Sequence, residues 1–417
     1  MRVGIEPTAR GRIFRLAGVT RVILVGLALT LACVAAPAQD ADPRQTPPRQ
    51  PLLEGKRIFE TKGCSHCHVI RAPGDAAHPG PDLARVGSWR DIMQFAGTLW
   101  NHRPAMTRVM QARGIDRPVL SAEEMGKLAG YLFYVRFFGE PGNAARGREV
   151  FTQRSCARCH QVGGQGGTIG PRLDELKEFA SSFFLAQALW NHGPGMAGKM
   201  ADLKIERPRL EETDIADIVA LLRGDAKQDG TPELEYAQAG NPQVGKSLFR
   251  SKGCIQCHSI GGAGGSVGPD LGNRRPMPHV GAVAAAMWNH GPTMWAKMKE
   301  VGVAFPQLSD REIADLLAYL YFAQYMADNG NATRGGEVLQ EKACSTCHAV
   351  AGEGATTAAD LARSSALQSS LTWTAAMWNH APTLDDKVRE AQATWPLFDD
   401  DEMRDLVEYL RSRRSGK

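Results

Sequence analysis

Cys254-Ile255-Gln256-Cys257-His258, followed downstream by Trp288-Asn289-His290-Gly291-Pro292-Thr293-Met294, is the stretch from which the organisation of this chain can be read. The same two-part signature occurs four times: Cys64-x-x-Cys67-His68 with Trp100-Asn101-His102, Cys156-x-x-Cys159-His160 with Trp190-Asn191-His192, the quoted pair, and Cys344-x-x-Cys347-His348 with Trp378-Asn379-His380. Four copies imply four similar modules. A length of 417 residues agrees, because it exceeds what one core usually organises.

Two thiols separated by two residues can each add across a vinyl group of haem, and the adjacent imidazole then reaches the iron as its proximal ligand. C-x-x-C-H therefore reads as c-type haem attachment. A closed zinc site wants four ligands from two nearby pairs, and here the pairs lie ninety to ninety-eight residues apart. A redox dithiol normally sits in a β-α-β setting, whereas strand-like alternation is scarce in this sequence. Eight of the nine cysteines lie in the motifs and only Cys33 is left over, so no disulfide framework remains to be drawn.

Arg10, Arg12, Arg15 and Arg21 precede an apolar run from Val22 to Ala36, and Ala36-Pro37-Ala38 then offers a small-residue cleavage site. This fits an export leader over 1–38. The run is short for a membrane span, so an uncleaved anchor is the secondary expectation. Lipidation at Cys33 ranks lower because Thr30-Leu31-Ala32 departs from the usual approach to a lipid-bearing Cys, and a twin-arginine pair is absent. Five Arg against one Glu in 1–38 account for the whole formal charge of +4. The remainder is near neutral and haem propionates would make it acidic, which argues against nucleic-acid binding or a polybasic membrane attraction.

Residues 39–51 form a Pro-rich linker. Nine residues before each first Cys stands a Gly (Gly55, Gly147, Gly245, Gly335), and five before it an apolar residue (Phe59, Phe151, Phe249, Leu339). The two share one helical face, and the Gly lets another helix cross closely. The closing helix of the third module runs from Ser309 with a capping box at Ser309/Glu312 and an apolar stripe Ile313, Leu316, Leu317, Leu320. Seven residues after the capping-box acid comes Tyr131, Leu221, Tyr319 or Tyr409, the expected contact for the first helix. Between motif and Trp-Asn-His lies a Gly-rich loop with Gly80-Pro81-Asp82-Leu83, Gly170-Pro171-Arg172-Leu173 and Gly268-Pro269-Asp270-Leu271. A peptide carbonyl there can fix the tautomer of a ligating His. The modules are expected at 52–140, 144–236, 242–328 and 331–417, joined by short polar segments that keep neighbouring haems close.

Short helix, C-x-x-C-H, Gly-Pro-x-Leu loop, central helix leading to Met and closing helix bearing Tyr make each module resemble a class I (mitochondrial-type) cytochrome c domain. The resemblance implies an all-α chain of four tandem cytochrome c-like haem domains, each of a few short helices around one haem, after an export leader. It also implies four covalent haems on Cys64, Cys67, Cys156, Cys159, Cys254, Cys257, Cys344 and Cys347, with His68, His160, His258 and His348 as proximal ligands. The carbonyls of Pro81, Pro171 and Pro269 would support those ligands, and Met106, Met196 and Met294 would be distal. Two departures leave alternatives open. His102, His192, His290 and His380 stand where the family has Gly, and Pro104, Pro194 and Pro292 precede the Met instead of following it. Met110, Met200 and Met298, one turn on, are further candidates. Trp100, Trp190, Trp288 and Trp378, with His102, His192 and His290, are expected to support the haem pocket by packing on the ring or bonding a propionate.

The fourth module differs: Leu384 and Val388 stand at the two Met positions, Ala359 replaces the loop Pro and Leu339 the Phe. Neither Leu nor Val binds iron, so the fourth iron is ligated by His380 or left open on one side. The leading expectation is an exported tetrahaem cytochrome passing single electrons along a row of domains. Its redox partner proteins would be a dehydrogenase or quinol-oxidising complex as donor and another cytochrome, terminal oxidase or reductase as acceptor. Membrane contact is expected only through a retained leader or a lipidated Cys33. The alternative is a haem enzyme or small-ligand-binding protein using an open fourth site. A third reading is a conducting subunit docked on a larger complex, for which the aromatic runs Tyr131–Phe138 and Tyr319–Met326 are of interest; burial between consecutive modules is the primary expectation for them.

Overall fold

The computed structural model describes residues 49–71, 78–86, 89, 91–176, 180–224, 240–272, 277–323 and 330–414. The leader, Cys33 and residues 39–48 of the linker lie outside them, as do 324–329, the end of the second aromatic run. Each module contributes three α-helices. First helices are Arg49–Thr61, Ala144–Gln153, Pro242–Ser251 and Ala332–Glu341; central helices are Ile92–Ala112, Ser182–Asp202, Val280–Glu300 and Ser370–Glu390; closing helices are Ala122–Phe137, Asp214–Arg223, Asp310–Ala323 and Glu402–Arg414. The expected all-α class holds, with one correction at the linker. The helix already starts at Arg49 and takes in Pro51, which a first turn tolerates because its N–H groups have no intrahelical acceptor.

The fixed glycines lie where first and closing helices cross. A Cβ on Gly55 would stand 2.3 Å from the carbonyl oxygen of Lys127, on Gly147 2.1 Å from that of Asp217, on Gly245 1.9 Å from that of Asp315 and on Gly335 2.0 Å from that of Asp405. The Cβ atoms of Tyr131, Leu221, Tyr319 and Tyr409 complete these contacts. Phe59 packs on Tyr131 and Phe249 on Tyr319, with ring centroids 6.0 and 5.6 Å apart. Three first helices are also tied down at their start, because the backbone N–H groups of Asn143, Asn241 and Asn331 donate to Asp217, Asp315 and Asp405 of the closing helices.

Modules two to four carry a small antiparallel hairpin after the Cys motif: Gln161–Val162 with Gln165–Gly166, Ser259–Ile260 with Ala263–Gly264, and Ala349–Val350 with Glu353–Gly354. Their two-residue turns need positive φ twice, supplied by Gly163-Gly164, Gly261-Gly262 and Ala351-Gly352. Asp174, Asp270 and Asp360 pin these turns by accepting from their N–H groups.

The modules do not stand in a row. The first pairs with the fourth and the second with the third, central helix on central helix, through one reciprocal contact used four times. Trp100 Nε1 donates to the Pro396 carbonyl (2.6 Å), while Asn101 both donates to the Phe398 carbonyl and accepts from its N–H. Trp378 and Asn379 do the same to Pro118 and Leu120. In the other pair, Trp190 and Asn191 grip Pro306 and Leu308, and Trp288 and Asn289 grip Pro208 and Leu210. Each Trp face is covered by the residue before the gripped Pro: Trp395 on Trp100 at 4.4 Å, Phe305 on Trp190 at 5.0 Å, and the guanidinium carbons of Arg117 over Trp378 at 3.8 Å and Arg207 over Trp288 at 3.6 Å. The central helices run through Pro104, Pro194, Pro292 and Pro382. A helical Pro leaves the carbonyl four residues back without its donor, and at Pro292 that carbonyl, on Trp288, accepts from Arg207 (2.7 Å).

The two pairs meet on the aromatic closing helix of the first module. Tyr134 donates to the Gly240 carbonyl and packs on Phe322, Phe137 packs on Tyr321, and both Phe137 and Phe138 contact Phe183. The first run is thus buried against the third module as well as the second. Among the described residues no helix is long and apolar enough to cross a membrane.

Candidate haem sites

Each C-x-x-C-H folds as one 3-10 turn entered through a left-handed residue, Gly63, Ser155, Gly253 or Ala343. The backbone N–H of each His donates to the carbonyl of the first Cys, at 2.9–3.0 Å, so both thiols and the imidazole belong to one compact unit. The imidazole is then fixed from the loop. His68, His160 and His258 place Nδ1 3.0 Å from the carbonyl oxygens of Pro81, Pro171 and Pro269. A carbonyl can only accept, so Nδ1 carries the proton and Nε2 keeps the free lone pair that an iron requires.

The loop glycine before each Pro was not foreseen as part of this arrangement. A Cβ on Gly80, Gly170 or Gly268 would stand 2.4–2.5 Å from the Cε1 of His68, His160 or His258, so the loop backbone lies directly on the ring. Its N–H closes the loop on the second Cys carbonyl of the motif. In the fourth module the loss of proline proves immaterial to the carbonyl contact, since His348 Nδ1 stands 2.7 Å from the Ala359 oxygen.

In the first module Cys64, Cys67, His68 and Pro81 line a cavity of about 210 Å³ that His102, Met106 and Met110 also line. These three are four residues apart and so share one face of the central helix. The module therefore brings all three candidate distal ligands to the place where the resemblance needs one. Met196 and Met294 are half-buried at the corresponding positions, packed against the core. Leu384 packs against the core of the fourth module. There His348 and His380 lie edge-on, with ring centroids 6.2 Å apart and planes at 70°. Two imidazoles on opposite sides of one metal, each bound at about 2 Å, put their ring centres roughly 6 Å apart. Burial, together with His348 and Arg103, pushes His380 below the ordinary histidine pKa, which favours the neutral, ligating form.

Trp100 is a correction to the pocket-support role expected of it. Trp100 does not line the first module's cavity; Trp378 of the fourth module does. Trp100 sits in turn among core residues of the fourth module, such as Val338, Leu339 and Leu406. The reason is helical phase: Trp100 is two residues from His102 and so points away from the face of His102 and Met106, toward the paired module. Asn101, Asn191, Asn289 and Asn379 are engaged with partner backbone and are not available to a propionate. The sequence did carry a signal for this, the repeated Pro118-Val119-Leu120, Pro208-Arg209-Leu210, Pro306-Gln307-Leu308 and Pro396-Leu397-Phe398.

The thiols do not suit the competing chemistries. Burial pushes the first Cys of every motif up to about 11, opposite to the depression that makes a reactive redox thiolate. Among the described residues no three His, Cys, Asp or Glu side chains gather as a metal site. In the first module a half-buried thiol pair and an imidazole with a free Nε2 line one apolar cavity, a set that fits covalent haem.

Compared with known proteins, residues 52–135, 144–224, 243–321 and 332–414 match the family model of cytochrome c, together well over half of the chain. No curated protein and no solved structure matches it.

Proposed function

The chain belongs to the cytochrome c family, with four domains in tandem, and on that premise we propose that it is an exported tetrahaem cytochrome. It would carry single electrons between a membrane or periplasmic oxidoreductase, such as a dehydrogenase or quinol-oxidising complex, and another cytochrome, terminal oxidase or reductase. Domains of this family hold covalently bound c-type haem and serve electron transfer. Cys64/Cys67, Cys156/Cys159, Cys254/Cys257 and Cys344/Cys347 take the four groups, with His68, His160, His258 and His348 as proximal ligands. Met106, Met196 and Met294 are the distal ligands of the first three domains and His380 that of the fourth. When bound, each haem supplies a one-electron iron couple whose potential rises with Met as the second ligand, so the fourth domain is the low-potential member. The export role draws on the leader-like segment 1–38 and on the near-neutral remainder of the chain.

The observation that carries the ligand assignment is the 6.2 Å separation of His348 and His380 beside Leu384. Low-temperature electron paramagnetic resonance of the oxidised holoprotein tests it. Four low-spin irons are expected, one with a bis-imidazole signature that His380→Ala removes. A high-spin iron in the native protein that disappears in Leu384→Met would instead establish an open fourth site and favour the ligand-binding or enzymatic reading.

A further inference from the structure

Arg103 is the most deeply buried cation in the described chain, 1% exposed, yet its charge is poorly answered. Its Nη2 lies 3.8 Å from Asp385 of the fourth domain, and Nε and Nη1 have no partner among the described residues. Asp385 is itself shared with Arg389, and the guanidinium otherwise rests on Trp395 at 4.5 Å. Burying such a group is unfavourable, and the other domains avoid it: Gly193, Gly291 and Ala381 occupy the equivalent position. In the second–third pair the same contact is apolar, Gly193 lying against Trp295, which stands where Asp385 stands. The first–fourth pair alone has an ionic contact at this point. It sits one residue beyond Leu384, the position at which the fourth domain lost its Met.

We infer that Arg103, supplied by the first domain, sets the potential of the fourth domain's haem, with Asp385 as its counter-charge. A cation held in a poorly screening interior favours the reduced, less positive state of a neighbouring redox centre. It thereby offsets part of the lowering that replacement of Met by His brings. Arg117, Asp386 and Arg389 complete the charges around the contact and are left in place by the variants below. Arg103 is near enough to act on His380 electrostatically, and in an interior of effective dielectric about 20 a unit charge roughly 10 Å from any redox centre changes the reduced-to-oxidised ratio on the order of tenfold, which is about 59 mV for a one-electron couple. Arg103 is a positioning residue in this scheme, acting through its field and not as an iron ligand.

The test is a redox titration of the full-length holoprotein followed by electron paramagnetic resonance, reading the fourth domain by its bis-imidazole signal. Arg103→Met should lower that potential by the equivalent of about tenfold, Arg103→Lys should leave it near the native value, and Asp385→Asn should raise it. A merely structural role predicts no such opposition of sign. The inference is overturned if Arg103→Met leaves the potential unchanged, or if Arg103→Lys shifts it as much as Arg103→Met. The readout rests on His380 ligation, and the two ideas fail separately. If the native protein lacks the bis-imidazole signal, the ligand assignment falls, and the same shifts are then read on the fourth domain's high-spin signal.

Discussion

Gly55→Ala sets two well-measured effects against each other, and the structure decides the sign. In an exposed helix interior the change gains about 1 kcal/mol from propensity. At Gly55 the new Cβ would stand 2.3 Å from the Lys127 carbonyl oxygen and 2.6 Å from Tyr131 Cβ. Ordinary contact begins at 3.4 Å, so the two helices must part by about 1 Å in an interior packed like a crystal. That loosens the Phe59–Tyr131 ring contact and the Glu54–Lys127 ion pair that bridge the same crossing. Overpacking of this kind costs typically 1–3 kcal/mol, occasionally more, and here it falls on backbone that cannot rotate away. We expect a net loss of roughly 1–2 kcal/mol. Gly130→Ala is the matched control in the opposing helix, because nothing lies within 4 Å of its Cβ; it should gain about 0.5–1 kcal/mol. A chain of several domains does not unfold as two states, so the assay is peptide-resolved hydrogen exchange over 49–61 and 122–137 in the haem-loaded protein. Gly55→Ala should speed exchange of the first segment about tenfold, and Gly130→Ala should slow the second. If Gly55→Ala protects its segment as well as the native residue does, the close crossing does not constrain this fold.

Asn191→Ala should cost about 1–3 kcal/mol of pairing, because it leaves the buried Leu308 N–H without an acceptor, while the Leu308 carbonyl keeps a donor in Gln187. Loss of exchange protection at that one amide checks it, and Asn191→Asp, which retains the acceptor, should restore protection. The Glu124 carboxyl is held below the usual carboxylate range, first by its hydrogen bond to Lys62 and then by the Ser121 N–H. A carboxylate with a depressed folded-state pKa stabilises above its unfolded value, about 4.3, and loses that contribution as pH falls through the folded-state pKa. Lys62→Met should therefore move the acid unfolding of the first domain to higher pH, read by circular dichroism with exchange over 122–137.

Local features were legible because their causes are local. A Cys-x-x-Cys-His turn, a Gly four residues from an aromatic, and a Ser/Glu capping box each make their bonds within a few residues, or to a helix whose own stripe is visible. The hairpins at Gly163-Gly164 and Gly261-Gly262 were missed because a strand of two residues has no alternation to detect. Replacement of the loop Pro by Ala359 leaves the carbonyl contact intact because any residue has a carbonyl. Trp-Asn-His is contiguous in sequence and so resembles a single pocket motif. On a helix its three side chains point in different directions, and two of them serve the neighbouring domain.

The sequence by itself determined four helical cytochrome c domains, the Cys-x-x-Cys-His turn of each, and the departure of the fourth at Leu384. Those properties follow from residue chemistry at fixed short spacing. Tertiary structure alone decided that the first domain pairs with the fourth and the second with the third, that Trp378 walls the first domain's cavity, and that Arg103 meets Asp385. The tryptophan contacts that make these pairs join residues from 80 to 296 positions apart. Repeats that share these motifs offer several alternative pairings of the same surfaces, and only packing of the whole chain selects among them.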